Sequence, residues 1–364
     1  MKYITLIAGA RPNFMKIAPL IHEINKANAT KKNIDYRLIH TGQHYDQNMS
    51  KSFFEELDIP RPDVNLSCSG GTQAQLTAKI MIEFEKELIK NHCDLVIVVG
   101  DVTSTMACAI VTKKLGIKLA HVEAGIRSND WSMPEEINRL VTDSITNFFF
   151  TTSSTANQNL IDEGVNQKNI FFVGNTMIDT LISNQHRFYK PIFFDKIGLI
   201  EKKYFVVTLH RPANVDEENS LKETINKILL HSKDLNIIFP MHPRTRKIFS
   251  KLNFVNKKLN VVDPLPYLQF NYLVKNSFAV ITDSGGITEE TTVMGIPCIT
   301  LRDNTERPET ITDGTNELIG VDPEAIPPIL NKLFKGNWKK GKIPKLWDGK
   351  TSERIINQII KLNL

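Results

Sequence analysis

Residues 95–126 have the sequence LVIVVGDVTSTMACAIVTKKLGIKLAHVEAGI, in which two short apolar runs flank a longer segment of helical character. The runs, Leu95–Gly100 and Leu119–Ala124, are apolar along almost their whole length, as strands covered on both faces are. Parallel strands of one sheet need a crossover of this length, usually a helix. The stretch therefore predicts two parallel strands joined by a helix near 103–115.

The same alternation extends in both directions and predicts an α/β chain with doubly wound parallel sheets. Further strands are predicted at Tyr3–Gly9, Tyr36–Gly42, Phe148–Thr152, Phe171–Val173, Phe205–Leu209, Ile237–Pro240, Val261–Val262, Ala279–Thr282, Cys298–Leu301 and Leu318–Val321. Helices are predicted near 13–28, 72–90, 134–146, 216–232, 266–276, 285–295, 322–335 and 351–363. Because the second half repeats the plan of the first, we expect two similar domains, with a boundary region at Tyr189–Lys203.

The composition is that of a folded, soluble protein, with 41% hydrophobic and 23% charged residues in a chain of 364. The net charge is 45 − 40 = +5, which argues against a nucleic-acid binder and suits an anionic small substrate. No apolar run reaches the ~20 residues that span a bilayer, and no signal-peptide pattern is present. The four cysteines are scattered, so we expect reduced thiols in a cytoplasmic protein.

In open parallel sheets, ligands bind beyond the carboxyl ends of the strands, so the residues after each strand are the candidates for function. The first strand is followed by GARPNFMK, residues 9–16, where a glycine turn opens a helix. Arg11 and Lys16 lie close to backbone N–H groups that the helix leaves free, a combination that favours an anion. A plain strand–helix turn with two solvated cations fits this stretch equally well.

Three carboxylates follow strands or begin a helix in the first half: Asp101, Glu123 and Glu136. Singly, each has an ordinary explanation: a helix cap for Asp101, an ion pair with His121 or Arg127 for Glu123, and helix-end electrostatics for Glu136. Together they place negative charge near one sheet edge. Crowded carboxylates raise one another's pKa values, which suits them to proton transfer near neutral pH.

The second half has its strongest signal in TDSGGITEE, residues 282–290. Here Ser284 and two glycines open a helix, which suits a phosphate, and Glu290 could hydrogen-bond a ribose diol. The competing explanation is a tight helix cap, which two adjacent glycines make less favourable. His210 and His242 also follow predicted strands and are further site candidates.

At these residues the chain resembles the non-hydrolysing UDP-N-acetylglucosamine 2-epimerase family. The matching stretches run in order along nearly the whole chain: GARPNFMKIAPL (9–20), TGQHYDQNM (41–49), VVGDVTSTMA (98–107), HVEAGIRS (121–128), MPEEINR (133–139), GNTMIDT (174–180), TLHRPANV (208–215), TDSGGITEE (282–290) and RDNTERPE (302–309). Any single stretch would be weak support, whereas so many in order make a chance similarity very improbable.

The resemblance implies two Rossmann-like domains facing a cleft, similar to B-type glycosyltransferases. Their implied extents are 1–173 plus 351–364 for the N-terminal domain with the acid–base carboxylates, and 174–350 for the C-terminal UDP-binding domain. The residues that match catalytic positions of the family are Asp101, Glu123, Glu136 and His210. Those that match substrate-binding positions are Arg11, Lys16, His242, Phe270, Ser284, Gly285, Gly286 and Glu290. In this scheme Phe270 lies against the uracil, Glu290 holds the ribose, and residues 284–286 hold the phosphates.

The implied reaction is reversible epimerisation of UDP-N-acetylglucosamine to UDP-N-acetylmannosamine. The C2 proton is poorly acidic, so the reaction proceeds by anti elimination of UDP to a glycal and re-addition, which needs a base, an acid and a diphosphate clamp. No redox cofactor or metal is expected, and the family suggests a homodimer. Gln43 and His44 match a regulatory region of bacterial members. Residues 65–73 lack the cation found there, so we expect weak or absent activation by substrate.

Four other interpretations stay open. A hydrolysing 2-epimerase would release N-acetylmannosamine and UDP, but its relatives usually lack a proline at position 12. A 2-epimerase of a UDP-diacetamido sugar would need an extra cation for the sugar carboxylate. A glycosyltransferase of similar architecture would need an acceptor and would not need three carboxylates. A catalytically inactive nucleotide-binding module would have no use for the acid–base residues that this chain retains.

Overall fold

The computed structural model describes residues 1–43, 54–241, 243–252 and 254–364, apart from the side chains of Arg11 and Arg244. Contacts divide the described chain into unit 1, Met1–Ser183 with Lys345–Leu364, and unit 2, Asn184–Pro344. The family resemblance implied boundaries after residues 173 and 350, whereas the contacts place them after residues 183 and 344. The difference arises because residues 174–183 and 345–350 bond to unit 1. Thr180 Oγ1 donates to the Met15 carbonyl at 2.5 Å, and Trp347 Nε1 donates to the Thr152 carbonyl at 3.0 Å.

Unit 1 is a parallel sheet with helices between its strands. Its strands are β1 (Lys2–Ala8), β2 (Ile34–His40), β3 (Val64–Asn65), β4 (Leu95–Val99), β5 (Lys118–Val122), β6 (Phe148–Thr151) and β7 (Ile170–Phe172). Among the described residues the strand order is β3-β2-β1-β4-β5-β6-β7. The helices are α1 (Arg11–Ala29), α2 (Gln73–Lys90), α3 (Thr103–Lys114), α4 (Pro134–Ile145), α5 (Ser154–Asp162) and α6 (Thr176–Asn184).

Unit 2 has the same plan. Its strands are β8 (Tyr204–Thr208), β9 (Asn236–Pro240), β10 (Leu259–Val262), β11 (Ala279–Thr282), β12 (Cys298–Thr300) and β13 (Asn316–Leu318), in the order β10-β9-β8-β11-β12-β13 over the part of the chain described. The helices are α7 (Phe193–Lys196), α8 (Pro212–Val215), α9 (Glu218–His231), α10 (Pro243–Phe249), α11 (Tyr267–Lys275), α12 (Gly285–Met294), α13 (Glu309–Thr312) and α14 (Ile326–Phe334). The last helix, α15 (Thr351–Lys361), belongs to unit 1.

Burial explains why the strands form where the sequence predicts them. All five residues of β4 are buried, and their register partners on β1 and β5 are parallel to them. On α2 the buried side chains recur at helical spacing, at Ile80, Phe84 and Leu88, so one stripe of the helix covers the sheet. The prediction of a doubly wound parallel α/β fold is therefore confirmed.

Both sheets reverse their strand order next to the first strand of the unit. In unit 1, β1 lies between β2 and β4; in unit 2, β8 lies between β9 and β11. Connections leave to opposite sides at such a point, which opens a crevice beyond the carboxyl ends of the strands. Asp101 follows β4, His210 lies just beyond β8, and Asp283 follows β11. The topology thus brings two predicted site residues, Asp101 and His210, and the buried Asp283 to the switch points of their units.

The prediction of individual elements was wrong in several places. The short strand β3 and the helices α5 and α6 are absent from the predicted set. The last strand forms at Asn316–Leu318 and not at Leu318–Val321, because Gly320 adopts a φ of +79° and the chain turns there. Glu123 lies outside its predicted strand, since β5 ends at Val122. In the described ranges, no helix combines the length and the apolarity that crossing a bilayer requires.

Candidate functional site

Asp101 is held from two sides at the end of β4. The Arg139 guanidinium pairs with its Oδ2, with Nε and Nη2 each 3.0 Å away, and Asn138 Nδ2 donates to its backbone carbonyl at 2.8 Å. Both partners lie on α4, so this helix fixes the strand end. The Asp101 side chain is still 31% exposed. It is therefore a fixed carboxylate that a small molecule can reach.

Glu123 lies at the end of the neighbouring strand β5 and is buried together with Lys16. The Lys16 ammonium is 2.6 Å from Glu123 Oε2, and the two side chains are 11% and 2% exposed. The ion pair compensates the cost of burying either charge. Glu123 has a φ of +73°, a left-handed conformation that disfavours side chains and marks positions under functional constraint. A Cβ at Gly100 would lie 2.9 Å from Lys16 Nζ, so the glycine leaves room for this pair.

The Glu136 carboxylate is held by hydrogen bonds from nearby residues, and the residue is 1% exposed. Its carboxylate accepts from the backbone N–H groups of Ser128 and Asn129, at 3.0 and 2.8 Å, from Ser128 Oγ, and from Arg139. Through these contacts Glu136 fixes the backbone of the loop before α4 and orients the Arg139 side chain. The adjacent Glu135 is half-buried at the start of α4, and its carboxylate has no hydrogen bond or ion pair within the described part of the chain.

The remaining predicted residues of unit 1 are placed as follows. Arg11 is the first residue of α1, and its side chain lies outside what the structure describes. Gln43 Oε1 accepts from Ser104 N at 3.1 Å and Ser104 Oγ at 2.7 Å, at the start of α3. His44 lies outside the described residues, so the prediction about activation by substrate stays a prediction.

In unit 2, His210 forms a pair with the buried carboxylate of Asp283. His210 Nδ1 is 2.8 Å from Asp283 Oδ1, and the His210 side chain is 51% exposed whereas that of Asp283 is fully buried. Asp283 also accepts from the backbone N–H groups of His210 and Arg211 and from Asn214 Nδ2. Burial alone would raise the pKa of Asp283, but these donors, His210 first, hold it below the usual value. An ionised Asp283 orients the imidazole and leaves its Nε2 pointing away from the pair.

Ser284, Gly285 and Gly286 form the turn that opens α12. Ser284 is the N-cap residue, and its side chain makes no capping hydrogen bond. A Cβ at Gly285 would lie 2.6 Å from Glu306 Oε1, so any larger residue there would displace that carboxylate. Burial opposes ionisation of Glu306, but the Arg302 guanidinium 2.7 Å away lowers its pKa to about 2. A helix N-terminus with free backbone N–H groups suits an anionic group.

Glu290 lies one and a half turns further along α12 and is buried. Tyr267 donates its hydroxyl hydrogen to Glu290 Oε1 at 2.9 Å, and Asn271 Nδ2 lies 3.5 Å from the same oxygen. Burial raises the pKa of Glu290 to about 7, although both donors act in the opposite direction. Phe270 is half-buried on α11 and packs against the core of unit 2. His242 lies outside the described residues.

Several residues that build these arrangements were missed by the sequence analysis. Asp283 and Arg139 stand inside stretches already singled out, TDSGGITEE and MPEEINR, but neither was assigned a role. Their burial and partners depend on which strand ends become neighbours, which one sequence does not specify. Tyr267 had no signal at all, because an aromatic residue on a helix is ordinarily part of the core. Among the described side chains, no group of three or more His, Cys, Asp or Glu could hold a metal ion.

Comparison with known proteins places the chain among sugar-nucleotide epimerases. The family model for UDP-N-acetylglucosamine 2-epimerase matches residues 26–360. The UDP-N-acetylglucosamine 2-epimerase of Methanocaldococcus jannaschii is 43% identical, over 97% of both chains. The UDP-2,3-diacetamido-2,3-dideoxy-D-glucuronate 2-epimerase of Pseudomonas aeruginosa is 39% identical, over 90% of both chains.

Solved structures agree with this placement. A crystal structure of the Methanocaldococcus jannaschii enzyme in complex with UDP-GlcNAc and UDP superposes with a TM-score of 0.88 at 41% identity, covering 98% of this chain and 99% of that one. A lipopolysaccharide outer core galactosyltransferase matches with a TM-score of 0.55 at 15% identity, which shows a shared fold and bears out the similarity to B-type glycosyltransferases. The match of the family model over most of the chain, together with these relatives, shows that the chain belongs to the UDP-N-acetylglucosamine 2-epimerase family.

Proposed function

We propose that this protein interconverts UDP-N-acetylglucosamine and UDP-N-acetylmannosamine by eliminating UDP and adding it back. The observation that carries the proposal is the position of Asp101 and Glu123 at the ends of the adjacent strands β4 and β5, each beside a buried cation. A carboxylate held in this way can accept a proton, and it becomes a proton donor once it has taken one up. The full-length similarity to an enzyme solved with UDP-GlcNAc supports the choice of substrate.

Unit 2 binds the nucleotide in this proposal. The N–H groups at the start of α12, with Ser284, Gly285 and Gly286, hold the diphosphate, and the positive end of the helix stabilises its charge. Glu290 accepts hydrogen bonds from the ribose hydroxyls, and Phe270 lies against the uracil. Arg11 and His242 are proposed to contact the substrate on the strength of the family motifs alone.

The first half-reaction balances without an external reactant. A carboxylate takes the proton from C2 of the sugar, the electrons of that bond form the C1–C2 double bond, and the C1–O bond breaks with its electrons leaving on UDP. The glycal that results is neutral. In the second half-reaction a second carboxyl group, in its protonated form, donates a proton to the opposite face of C2, and UDP oxygen re-forms its bond to C1. Cations and the helix N-terminus stabilise the charge that develops on UDP.

The contacts in unit 1 favour Glu135 over Glu136 as the third carboxylate. Glu136 accepts from four donor groups, so proton exchange with a substrate would require breaking these bonds. Glu135 is half-buried at the helix start, where the macrodipole stabilises its negative charge. We therefore assign Glu136 to holding Arg139 against Asp101 and Glu135 to the reaction.

His210 acts through Nε2, because its Nδ1 is directed at Asp283. An imidazole held in this way can donate a proton or a hydrogen bond to the departing diphosphate and take it back on re-addition. Ala213, three residues further along the chain, has no polar group that could hold the imidazole. Asp283 supplies a polar partner at that place.

A second candidate substrate is a UDP-diacetamido-glucuronate, which the 39% identity to the Pseudomonas aeruginosa enzyme favours. The two are separated by incubating the purified protein with each sugar nucleotide and resolving the products by anion-exchange chromatography. We expect UDP-N-acetylmannosamine from UDP-N-acetylglucosamine, with a kcat/KM at least tenfold above that for the uronate. The reverse preference would identify the protein as the uronate epimerase, and release of free N-acetylmannosamine would place it with the hydrolysing enzymes.

We further infer from the family resemblance that the protein is a homodimer in the cytoplasm. The four cysteines, at positions 68, 93, 108 and 298, are buried free thiols, as is usual in a reducing compartment. Light scattering during gel filtration tests the dimer, with a mass of twice 41.3 kDa expected. A mass equal to one chain would remove this inference.

A further inference from the structure

His121 is fully buried at the end of β5, and both of its ring nitrogens face oxygen atoms. Nδ1 is 2.7 Å from Asp143 Oδ1, and Nε2 is 2.8 Å from the Gly100 carbonyl oxygen. Its register partners on the neighbouring strands, Val98 and Phe149, are apolar. A carbonyl oxygen only accepts hydrogen bonds, so Nε2 must carry a hydrogen.

The other contact fixes the state of Nδ1. Asp143 Oδ2 accepts from Gly125 N at 3.0 Å and pairs with Arg127 Nη1 at 2.8 Å. Burial raises the pKa of Asp143, whereas the Arg127 guanidinium and the Gly125 N–H lower it independently of His121. An ionised Asp143 accepts at Oδ1 as well. Nδ1 therefore donates, both ring nitrogens carry hydrogen, and the ring is a cation.

The surroundings balance this charge. Arg127 pairs through Nε and Nη2 with the two oxygens of Glu163, at 2.7 and 2.6 Å. The chain His121–Asp143–Arg127–Glu163 thus alternates in sign and sums to zero. A buried charge is tolerated when it is paired and hydrogen-bonded in this way.

Hydrogen bonds from His121 and Asp143 hold the backbone of the two turns on which Asp101 and Glu123 lie. Gly100 precedes Asp101 and has a φ of +67°; its N–H donates to the Val122 carbonyl at 3.0 Å, while His121 holds its carbonyl. On the other turn, Asp143 holds the N–H of Gly125, two residues after Glu123. One buried ion pair therefore bonds to the backbone beside both strand ends.

We propose that His121 is a buried imidazolium and a positioning residue, which fixes the Gly100–Asp101 turn through a charge-assisted hydrogen bond to the Gly100 carbonyl. The charge of the ring rests on geometry alone, whereas its effect on turnover rests on the proposed role of Asp101. Charge-assisted bonds are shorter and about twice as strong as neutral ones, so a neutral donor replaces this one poorly.

The first experiment measures the protonation state in the unmodified protein. Protein labelled with 15N-histidine is observed by long-range 1H–15N correlation from about pH 6 to about pH 8.5, across the ordinary histidine pKa of about 6.5. The signal absent from His121→Gln is that of His121. We expect both of its nitrogens to resonate as protonated over the whole range. One unprotonated ring nitrogen at the upper pH would overturn the proposal.

The second experiment separates positioning from stability. His121→Gln keeps an N–H donor but no charge; the control, His92→Gln, changes a histidine of unit 1 whose side chain is 73% exposed. We expect kcat for His121→Gln to fall about 10²-fold, as a misplaced catalytic group does, with KM and UDP affinity within about threefold of wild type. Unchanged kcat per folded molecule, with only the melting temperature lowered, would show a purely structural role and overturn the positioning.

A double-mutant cycle with Asp101→Asn tests whether the effect passes through Asp101. If it does, His121→Gln lowers the residual kcat of Asp101→Asn far less than that of the wild type. Equal losses in both backgrounds would contradict the proposal. If Asp101→Asn itself retains full turnover, the assigned function of Asp101 fails, while the NMR experiment still decides the charge of His121.

Discussion

Arg139 is the residue through which two of the carboxylates in unit 1 are joined. It pairs with Asp101 through Nε and Nη2 and with Glu136 through Nη1. A guanidinium is suited to this bridge because its donors lie in one rigid plane. Glu136 in turn receives the backbone N–H groups of the preceding loop. The position of Asp101, which we propose to be reactive, thus depends on a glutamate that need not itself meet the substrate.

Glu135 and Glu136 make a matched pair for mutation. We expect Glu135→Gln to lower kcat by about 10²–10⁴-fold and to leave the melting temperature nearly unchanged, because its carboxylate has no partner among the described residues. We expect Glu136→Gln to lower the melting temperature, since it weakens four contacts of a buried group. Turnover and differential scanning calorimetry measure the two effects. A large loss of kcat for Glu136→Gln without loss of stability would restore Glu136 as the acid–base group.

Asp283 is expected to act on the reaction through His210. Asp283→Asn allows the wrong imidazole tautomer, so we expect kcat to fall by about 10²–10⁴-fold while the KM changes little. In a His210→Ala background the same substitution should cost almost nothing more in kcat. Steady-state kinetics on the four proteins of this cycle measure the coupling. Losses that simply multiply would show that Asp283 serves the fold and not the imidazole.

The pH dependence of UDP binding is expected to follow the carboxyl group of Glu290. Its pKa is about 7, and the ionised form is the one that accepts from the ribose hydroxyls. Binding therefore strengthens as pH rises through about 7, by about tenfold between pH 6 and pH 8. Titration calorimetry measures it. In Glu290→Gln the phosphates of UDP still titrate, but we expect the increase in UDP affinity that comes from the Glu290 carboxyl group to disappear. If the affinity of this variant depends on pH as that of the wild type does, Glu290 is not the group responsible.

Tyr267 offers a further test of the same carboxyl group. Its hydrogen bond lowers the pKa of Glu290, so Tyr267→Phe should move the midpoint of UDP binding to higher pH.

The positions of the candidate site residues could be predicted from the sequence only in part. The strand-end positions of Asp101 and Ser284 followed from apolar runs and glycine turns, whereas Glu123 was predicted inside a strand that ends before it. The partners Arg139, Asp283 and Tyr267 could not be predicted, because they are neighbours only after the sheets and helices pack.

At the scale of elements, α15 shows how a distant segment is attached to unit 1. Asp179 of α6 accepts from the backbone N–H groups of Thr351 and Ser352, at 3.0 and 2.6 Å, and so caps the start of α15. At the other end, Lys2 Nζ donates to the carbonyls of Ile359 and Ile360, at 2.8 and 2.9 Å. Both ends of the helix are therefore bonded to residues far away in sequence.

Removing the cap should destabilise the protein. Asp179→Ala leaves two buried N–H groups without their partner, so we expect the free energy of unfolding to fall by about 1–3 kcal/mol. The control is Glu83→Ala, which breaks an exposed pair with Lys86 and should change it by at most about 0.5 kcal/mol. Urea denaturation followed by circular dichroism measures both. Equal effects of the two variants would contradict the role of the cap.

The strands and helices also differ in how well the sequence predicts them. The apolar strands β1, β4 and β11 were predicted to within one residue, because burial of β4 and β11 along their whole length, and of β1 from Ile4 onwards, leaves a clear apolar run in the sequence. The edge strand β13 contains Asn316 and Glu317, whose polar side chains bond to Thr300 and Lys332. Such a strand lacks the apolar pattern. The strand was therefore predicted at the apolar residues Leu318, Ile319 and Val321, which mostly lie in the loop that follows it.

At the scale of the whole molecule, the two units have the same sheet plan but different chemistry at their switch points. Unit 1 has carboxylates beside buried cations, whereas unit 2 has a glycine turn, a histidine and a buried glutamate. The proposed reaction uses both kinds of chemistry, the transfer of a proton and the binding of a diphosphate. The two units share a topology but differ in the residues at their strand ends, and it is these residues that determine the reaction.

Elimination and re-addition of UDP are tested by proton NMR of UDP-N-acetylglucosamine incubated with the protein in D₂O. Elimination and re-addition exchange the C2 proton with solvent, so we predict deuterium at C2 of both sugar nucleotides, with UDP-N-acetylmannosamine accumulating to equilibrium and UDP still attached. Asp101→Asn should slow the exchange and the epimerisation in parallel. Substrate that stays undeuterated and unconverted, under conditions in which UDP binds, would contradict the central claim.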